Sequence, residues 1–304
     1  MNYCDFVEQV ARKVQERAGG TARVDVNSIL KTNLAPIDGL TILKEGENLA
    51  PAIWLNPYYY QYECGNTSVA AIAEEIVSYR TNSPYSGHFD LSFYTDFSCV
   101  RDRIACKLIH RGMNKKLLEE VPHRDFLDLA VVYYYKMEED AFPNSSILVK
   151  NDHAAMWETT QKDLDAIALA NTPRLLPADF KTLAEMISEV VEVESDLILQ
   201  QEFPMYVLTN QEKNFGASML LFPETLRMIY ERLGQDYFVL PSSIHECIVI
   251  PAFPGILPED LHEMVCEINA EHVAAEELLG DSIYRYNKKE NALQIAYAKE
   301  NRDA

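Results

Sequence analysis

Glycine is scarce in this chain, 11 residues in 304, and none of them forms a GxGxxG, GxxxxGK[ST] or GxSxG pattern. Phosphate-cradling loops need closely spaced glycines that expose backbone N–H groups, so nucleotide-dependent catalysis is not expected. Bases are also few: 27 Lys and Arg stand against 47 Asp and Glu, a net charge of −20. A field of that sign repels phosphate backbones and anionic membrane surfaces, which argues against general nucleic-acid binding. The acids are interleaved with apolar positions and never reach blocks of about five like charges, as expected of an acidic soluble protein. An acidic surface that mimics nucleic acid toward a basic partner is the other reading the charge allows. No run approaches the ~18 apolar residues of a membrane span; the densest, Phe126 to Tyr135, is interrupted by Asp128. The first twenty residues carry charges throughout and lack the apolar core of an export signal, so a cytoplasmic location away from membranes is expected. The six cysteines (Cys4, Cys64, Cys99, Cys106, Cys247, Cys266) form no CxxC pair and read as free or buried thiols.

What is present is the material of a folded protein, with 48% hydrophobic residues and 24% charged ones. Helical periodicity opens the chain, with Phe6, Val10 and Val14 on one face until Gly19 and Gly20 stop it. ARVDVNSIL, LTILK after Asp38-Gly39, and APAIWLN follow as strands, and a helix capped by Asn66 or Thr67 runs from Val69 to about Tyr79 and exits at Asn82, Ser83 and Pro84. VRDRIACKLIH reads as a strand, and FLDLAVVYYYKM as a central strand buried on both faces. A helix capped near Thr160 ends at Asn171-Thr172-Pro173, and an acidic helical segment spans Phe180 to Gln200. The pattern resets at Phe203, where strands PMYVLTN, QDYFVLPSS and HECIVIPA, a helix after Pro258 and a closing hairpin follow. The expectation is an α+β fold of antiparallel or mixed sheets with packed helices, divided into an N-terminal unit of residues 1–200 and a C-terminal unit of residues 201–304.

Few residues offer chemistry. His262-Glu263-x-x-Cys266 with His272 resembles a zinc-protease helix, but Cys266 replaces the second histidine and Asn269 the turn glycine, so no metal and no cofactor are expected. Cys106 and His110, and His245 with Cys247, are weaker pairs, for which a core cysteine is the plainer reading. Trp54, Tyr58, Tyr59, Tyr60 and Tyr62 line either a pocket or the first core.

The phrases LAPAIWLNPYYYQY, VPHRDFLDLAVVYYYKME, LANTPRLLP, FPMYVLTNQEKNFGASMLLFPETL and YFVLPSSIHECIVIPA resemble those of a bacterial family, number 5688 among the domains of unknown function, found mainly in anaerobic Gram-positive species. The resemblance implies an intracellular α+β protein and brings no catalytic residue. The expected role is a binding or interaction protein without catalysis, its partner a protein or a small polar ligand. The alternative is a hydrolase-like enzyme with a dispersed site drawn from His123, Asp125, Asp128, His245 and Glu246. If the strands ending at Asn210 and at Ser242 are neighbours, then Asn210, Asn214, Ser242, Ser243 and His245 converge at one sheet edge and form the binding site; otherwise these residues only close turns.

Overall fold

The computed structural model describes residues 1–82, 88, 91–137, 145–190 and 203–299, and is of the α+β class. Two compact units divide between Phe93 and Tyr94. The division expected near residue 200 falls inside one sheet, because strands on either side of it pair with each other. The expected helical segment 180–200 is in fact a strand through Thr182 and a helix to Val190, and its remainder lies outside the described residues, as do Ser83 and Pro84.

In the first unit, helix α1 (Tyr3–Ala18) is capped by Asn2, whose Oδ1 accepts from Asp5 N at 2.9 Å, and it turns Phe6, Val10 and Val14 into the core. Strands β1 (Arg23–Ile29), β2 (Ile37–Leu43) and β3 (Ile53–Trp54) form an antiparallel sheet in that order. Asp38 and Gly39 lie within β2 rather than at its turn. Gly39 is needed there for space, since a Cβ would stand 3.0 Å from the Trp54 ring. Helix α2 (Asn56–Glu63) sets Tyr58, Tyr59 and Tyr62 against the core while Tyr60 stays outside, so the tyrosine run serves mainly as core. Helix α3 (Val69–Thr81) is capped by Ser68, not by Asn66 or Thr67. Its Arg80 is fully buried, donates to Ile42 O at 2.9 Å and pairs with Glu47, a partly buried residue whose side chain is largely covered.

The second unit begins within the short helix α4 (Ser92–Thr95) and continues through α5 (Phe97–Val100) to β4 (Ile104–His110), α6 (Lys115–Glu120), β5 (His123–Phe126), β6 (Leu129–Lys136) and β7 (Ser146–Leu148). Strand β6 is the buried central strand expected, flanked by β4 and β5, with β7 also pairing to it. Helices α7 (Asn151–Met156) and α8 (Gln161–Leu175) follow; α8 starts on a Thr160–Asp163 capping box and continues past Pro173 by two residues.

The larger sheet then assembles from β8 (Ala178–Thr182), helix α9 (Leu183–Val190), β9 (Tyr206–Asn210), α10 (Pro223–Leu233), β10 (Tyr237–Leu240), β11 (Cys247–Pro251), α11 (Pro258–His272), β12 (Ile283–Asn287) and β13 (Ala292–Tyr297). Its strand order is β13-β12-β10-β11-β9-β8, and β8 pairs with β9 from Ala178↔Asn210 to Thr182↔Tyr206. Every strand pairing among the described residues is antiparallel. No helix among them is long and apolar enough to cross a membrane.

Candidate functional site

Period-two alternation along β5 puts His123 and Asp125 on one face of an edge strand. Phe126 pairs with Leu129, which leaves a two-residue loop of Leu127 and Asp128, with Leu127 at φ 55°. A branched side chain in the left-handed region is unfavourable and persists only where surrounding contacts impose it. Asp128 supplies such contacts. Its carboxylate accepts from Ser282 Oγ at 2.6 Å and from Tyr284 OH at 2.5 Å, joining the four-stranded sheet to the larger one. Burial, together with the Asp128 charge, holds the Tyr284 phenol well above its ordinary range and therefore in its donor form.

At this junction lies a cleft of about 660 Å³. Its walls carry the bases His110, Arg111, Lys115, His123 and Lys299 together with the acids Glu119, Asp125, Asp128 and Asp281. His123 Nδ1 lies 3.1 Å from Val121 O, and a carbonyl can only accept, so Nδ1 carries the proton and Nε2 keeps a free lone pair in the neutral ring. His110 has the opposite arrangement, its Nδ1 accepting from Met113 N at 3.0 Å. Arg111 Nη1 donates to Asp125 Oδ2 at 3.0 Å on the exposed rim, a contact that contributes little to stability. Three of the five dispersed candidates, His123, Asp125 and Asp128, therefore share one cleft, and His245 and Glu246 are not on its walls.

The strands ending at Asn210 and Leu240 are not neighbours, because β11 lies between them. As β11 is antiparallel to both, their C-terminal ends still lie at one end of the sheet, where β11 begins. Asn210, Ser242 and His245 meet there, with most of their polar groups turned inward. Asn210 is fully buried: its Nδ2 donates to Asn214 O at 2.6 Å and its Oδ1 accepts from Glu212 N at 3.0 Å. Ser243 Oγ accepts from His245 N at 3.1 Å, and Ser242 O accepts from Leu279 N at 3.0 Å. His245 Nδ1 accepts from Phe215 N at 3.2 Å, its ring stacks on Phe215, and Nε2 lies 3.6 Å from Glu277. Burial lowers the His245 pKa despite Glu277, and burial raises that of Glu246. Backbone and side chain crowd together so closely here that Gly216 admits no Cβ, which would lie 2.3 Å from Thr209 Oγ1 and 2.5 Å from His245 O. Of the five residues, Asn214 lines a pocket of about 420 Å³ with Tyr134, Lys136 and Glu212.

Lys107 has no counterpart in the expected site. It stands mid-strand in IACKLIH, is 9% exposed, and holds its ammonium 4.3 Å above the Phe215 ring, with no hydrogen-bond or ion-pair partner among the described residues. Burial pushes its pKa down to about 8. A lone lysine inside a strongly apolar run was the signal available for it. Cys106 and Cys247 are buried core thiols, as the plainer reading held, and burial raises both; Cys106 Sγ lies 3.3 Å from Thr172 Oγ1. His262 and Cys266 share one face of α11, while His272 points elsewhere beside Glu271. His262 is buried against the Tyr297 ring.

Fold and cleft together define an antiparallel α+β protein with a polar, mixed-charge cavity at a sheet junction. The chain belongs to the family of unknown function DUF5688, whose model matches residues 3–288. No curated protein and no solved structure matches it.

Proposed function

We propose that this protein binds a small polar ligand carrying charges of both signs, in the cleft at the β5–β6 hairpin. The convergence of His123, Asp125 and Asp128 with Lys115 and Lys299 around one cavity supports this reading more than any other observation. About 660 Å³ lies within the usual range for small-ligand sites, roughly 300 to 1,000 Å³. The cleft offers acids to a ligand ammonium and bases to a ligand carboxylate. An amino acid or short peptide has that pattern, and a nucleic acid does not. The Asn210–His245 cluster is the lesser candidate, because the Asn210 amide and the Ser243 hydroxyl are already bonded to neighbours.

Hydrolysis of such a ligand is the second reading, favoured by the free Nε2 of His123 beside two carboxylates. The test is a thermal-shift panel of amino acids, dipeptides and tripeptides at millimolar concentration on wild type, His123→Ala and Asp128→Asn. A ligand held in the cleft at 100 times its Kd stabilises the wild type by about 2.7 kcal/mol and the variants by far less. Equal shifts in all three proteins, or no shift across the panel, would overturn the assignment. Mass analysis of the incubated ligand then separates the readings: intact ligand supports binding alone, and cleavage lost in His123→Ala supports hydrolysis.

A further inference from the structure

The zinc-helix pattern in the sequence offers His272 as its third ligand, but in the structure that ring lies beside Glu271, and the fold supplies another donor. Residues Gly280 and Asp281 come alongside α11, where two side chains of that helix hold their backbone. His262 Nδ1–H donates to Asp281 O at 2.8 Å, and Asn269 Nδ2 donates to Gly280 O at 2.9 Å. Asn269, which stands where a zinc-protease helix would place its turn glycine, thus fixes the loop that brings Asp281 in. The His262 ring is further held by burial and by Tyr297, with ring centroids 5.1 Å apart.

The consequence for His262 is a set tautomer. A carbonyl only accepts, so Nδ1 is protonated and Nε2 presents its lone pair to Cys266 Sγ at 3.5 Å. A backbone carbonyl behind the distal ring nitrogen is also how metal-ligating histidines are usually oriented. Cys266 Sγ in turn lies 4.0 Å from Asp281 Oδ2, and all three donor atoms are within 4.8 Å of one another. Zinc bonds of about 2.3 Å to sulfur and 2.0 Å to nitrogen at a tetrahedral angle require a sulfur-to-nitrogen separation of about 3.5 Å. The side chains of His262 and Cys266 already have it. The Asp281 carboxylate is exposed, so a side-chain rotation suffices to close the third edge.

We propose that His262, Cys266 and Asp281 form a three-ligand site for a zinc-type divalent transition metal, with a fourth position open to water or ligand. One imidazole, one thiolate and one carboxylate suit a borderline metal better than magnesium or calcium, which prefer oxygen donors alone. As the Cys266 sulfur–metal bond forms, the thiol proton leaves to solvent, so charge and atoms balance. Asp281 also lines the cleft, which puts the metal site at its edge, yet the site stands on its own geometry whether or not the cleft binds a ligand.

Cobalt(II) titration of the full chain tests this, because a cobalt–thiolate bond gives a charge-transfer absorption that nitrogen or oxygen ligation does not. The expected result is a band that saturates at one cobalt per chain and is displaced by one equivalent of zinc(II). Cys266→Ser should abolish the band. Asp281→Asn, at an exposed position, should keep the fold and the band while weakening zinc by roughly 100-fold, since loss of even an outer-sphere partner costs about 10- to 100-fold. Cys4, Cys64 and Cys99 are also exposed, so their combined replacement by serine should leave the band unchanged. Absence of a band, its persistence in Cys266→Ser, its loss in the triple replacement, or unaltered zinc affinity in Asp281→Asn would overturn the site.

Discussion

Replacing Lys107 by methionine should stabilise this protein. Its ammonium is buried in β4 over the Phe215 ring, and His245 is the nearby titratable group that reports its charge. Taking an unpaired ammonium out of water is unfavourable, and the fall of its pKa from 10.5 to about 8 expresses that cost. At about 1.4 kcal/mol per pH unit the penalty on the charged form is about 3 kcal/mol. The Phe215 ring offsets about 1 to 2 kcal/mol of it. Methionine retains the apolar stem without the charge, so Lys107→Met should be more stable at pH 7 by about 1 to 2 kcal/mol. Because the folded pKa lies below the unfolded one, the penalty is fully present below about pH 8 and fades as pH rises toward 10.5, where both states hold a neutral amine. The advantage of the variant should therefore shrink across that window. Tyrosines raised by burial, such as Tyr133 and Tyr134, affect both proteins alike and cancel in the difference. Urea unfolding at pH 7, 8.5 and 10, read by circular dichroism, measures it. A variant less stable than wild type at pH 7, or a difference independent of pH, would refute the assignment of Lys107 as an unpaired buried charge.

Asn210→Ala should cost about 1 to 3 kcal/mol in urea unfolding, because buried partners such as Asn214 O lose their bonds; an unchanged midpoint would show the turn does not depend on it. Gly216→Ala should be worse, for its Cβ would meet Thr209 Oγ1, His245 O and Asn210 N below 3 Å, and a soluble variant melting at the wild-type temperature would count against that packing. Glu47→Ala should cost about 3 to 5 kcal/mol by leaving the Arg80 guanidinium buried without its carboxylate. Burial acts to raise the Glu47 pKa, but the Lys44 N–H and Arg80 lower it on balance, so the contribution of Glu47 is present at neutral pH and lost as pH falls through its depressed value. A wild type equally stable at pH 3 and pH 7 would contradict that sign.

Local pattern determined much of this fold. The helical stripe of Phe6, Val10 and Val14, the Thr160 capping box, the unbroken apolar run of β6 and the closing β12–β13 hairpin follow from periodicity and capping chemistry, which act within a few residues. Even the family was legible in long phrases of residues. Long-range pairing was not. Asp128 read as a break in the densest apolar run and as one of five dispersed candidates, and only its partners Ser282 and Tyr284, more than 150 residues away, make it the joint between two sheets. The pattern reset at Phe203 suggested a boundary, yet β8 and β9 share one sheet across it, because sheet pairing depends on edge complementarity and not on chain proximity. Likewise His262 and Cys266 are one helical turn apart in sequence, but their third donor comes from a loop held by Asn269, and no local spacing rule connects those residues. Sequence alone specified the strongly periodic helices and strands and which classes of function are disfavoured, but not that Ala178–Thr182 forms a strand; tertiary structure decided that and which distant polar groups meet, since both depend on how buried faces of different elements satisfy one another.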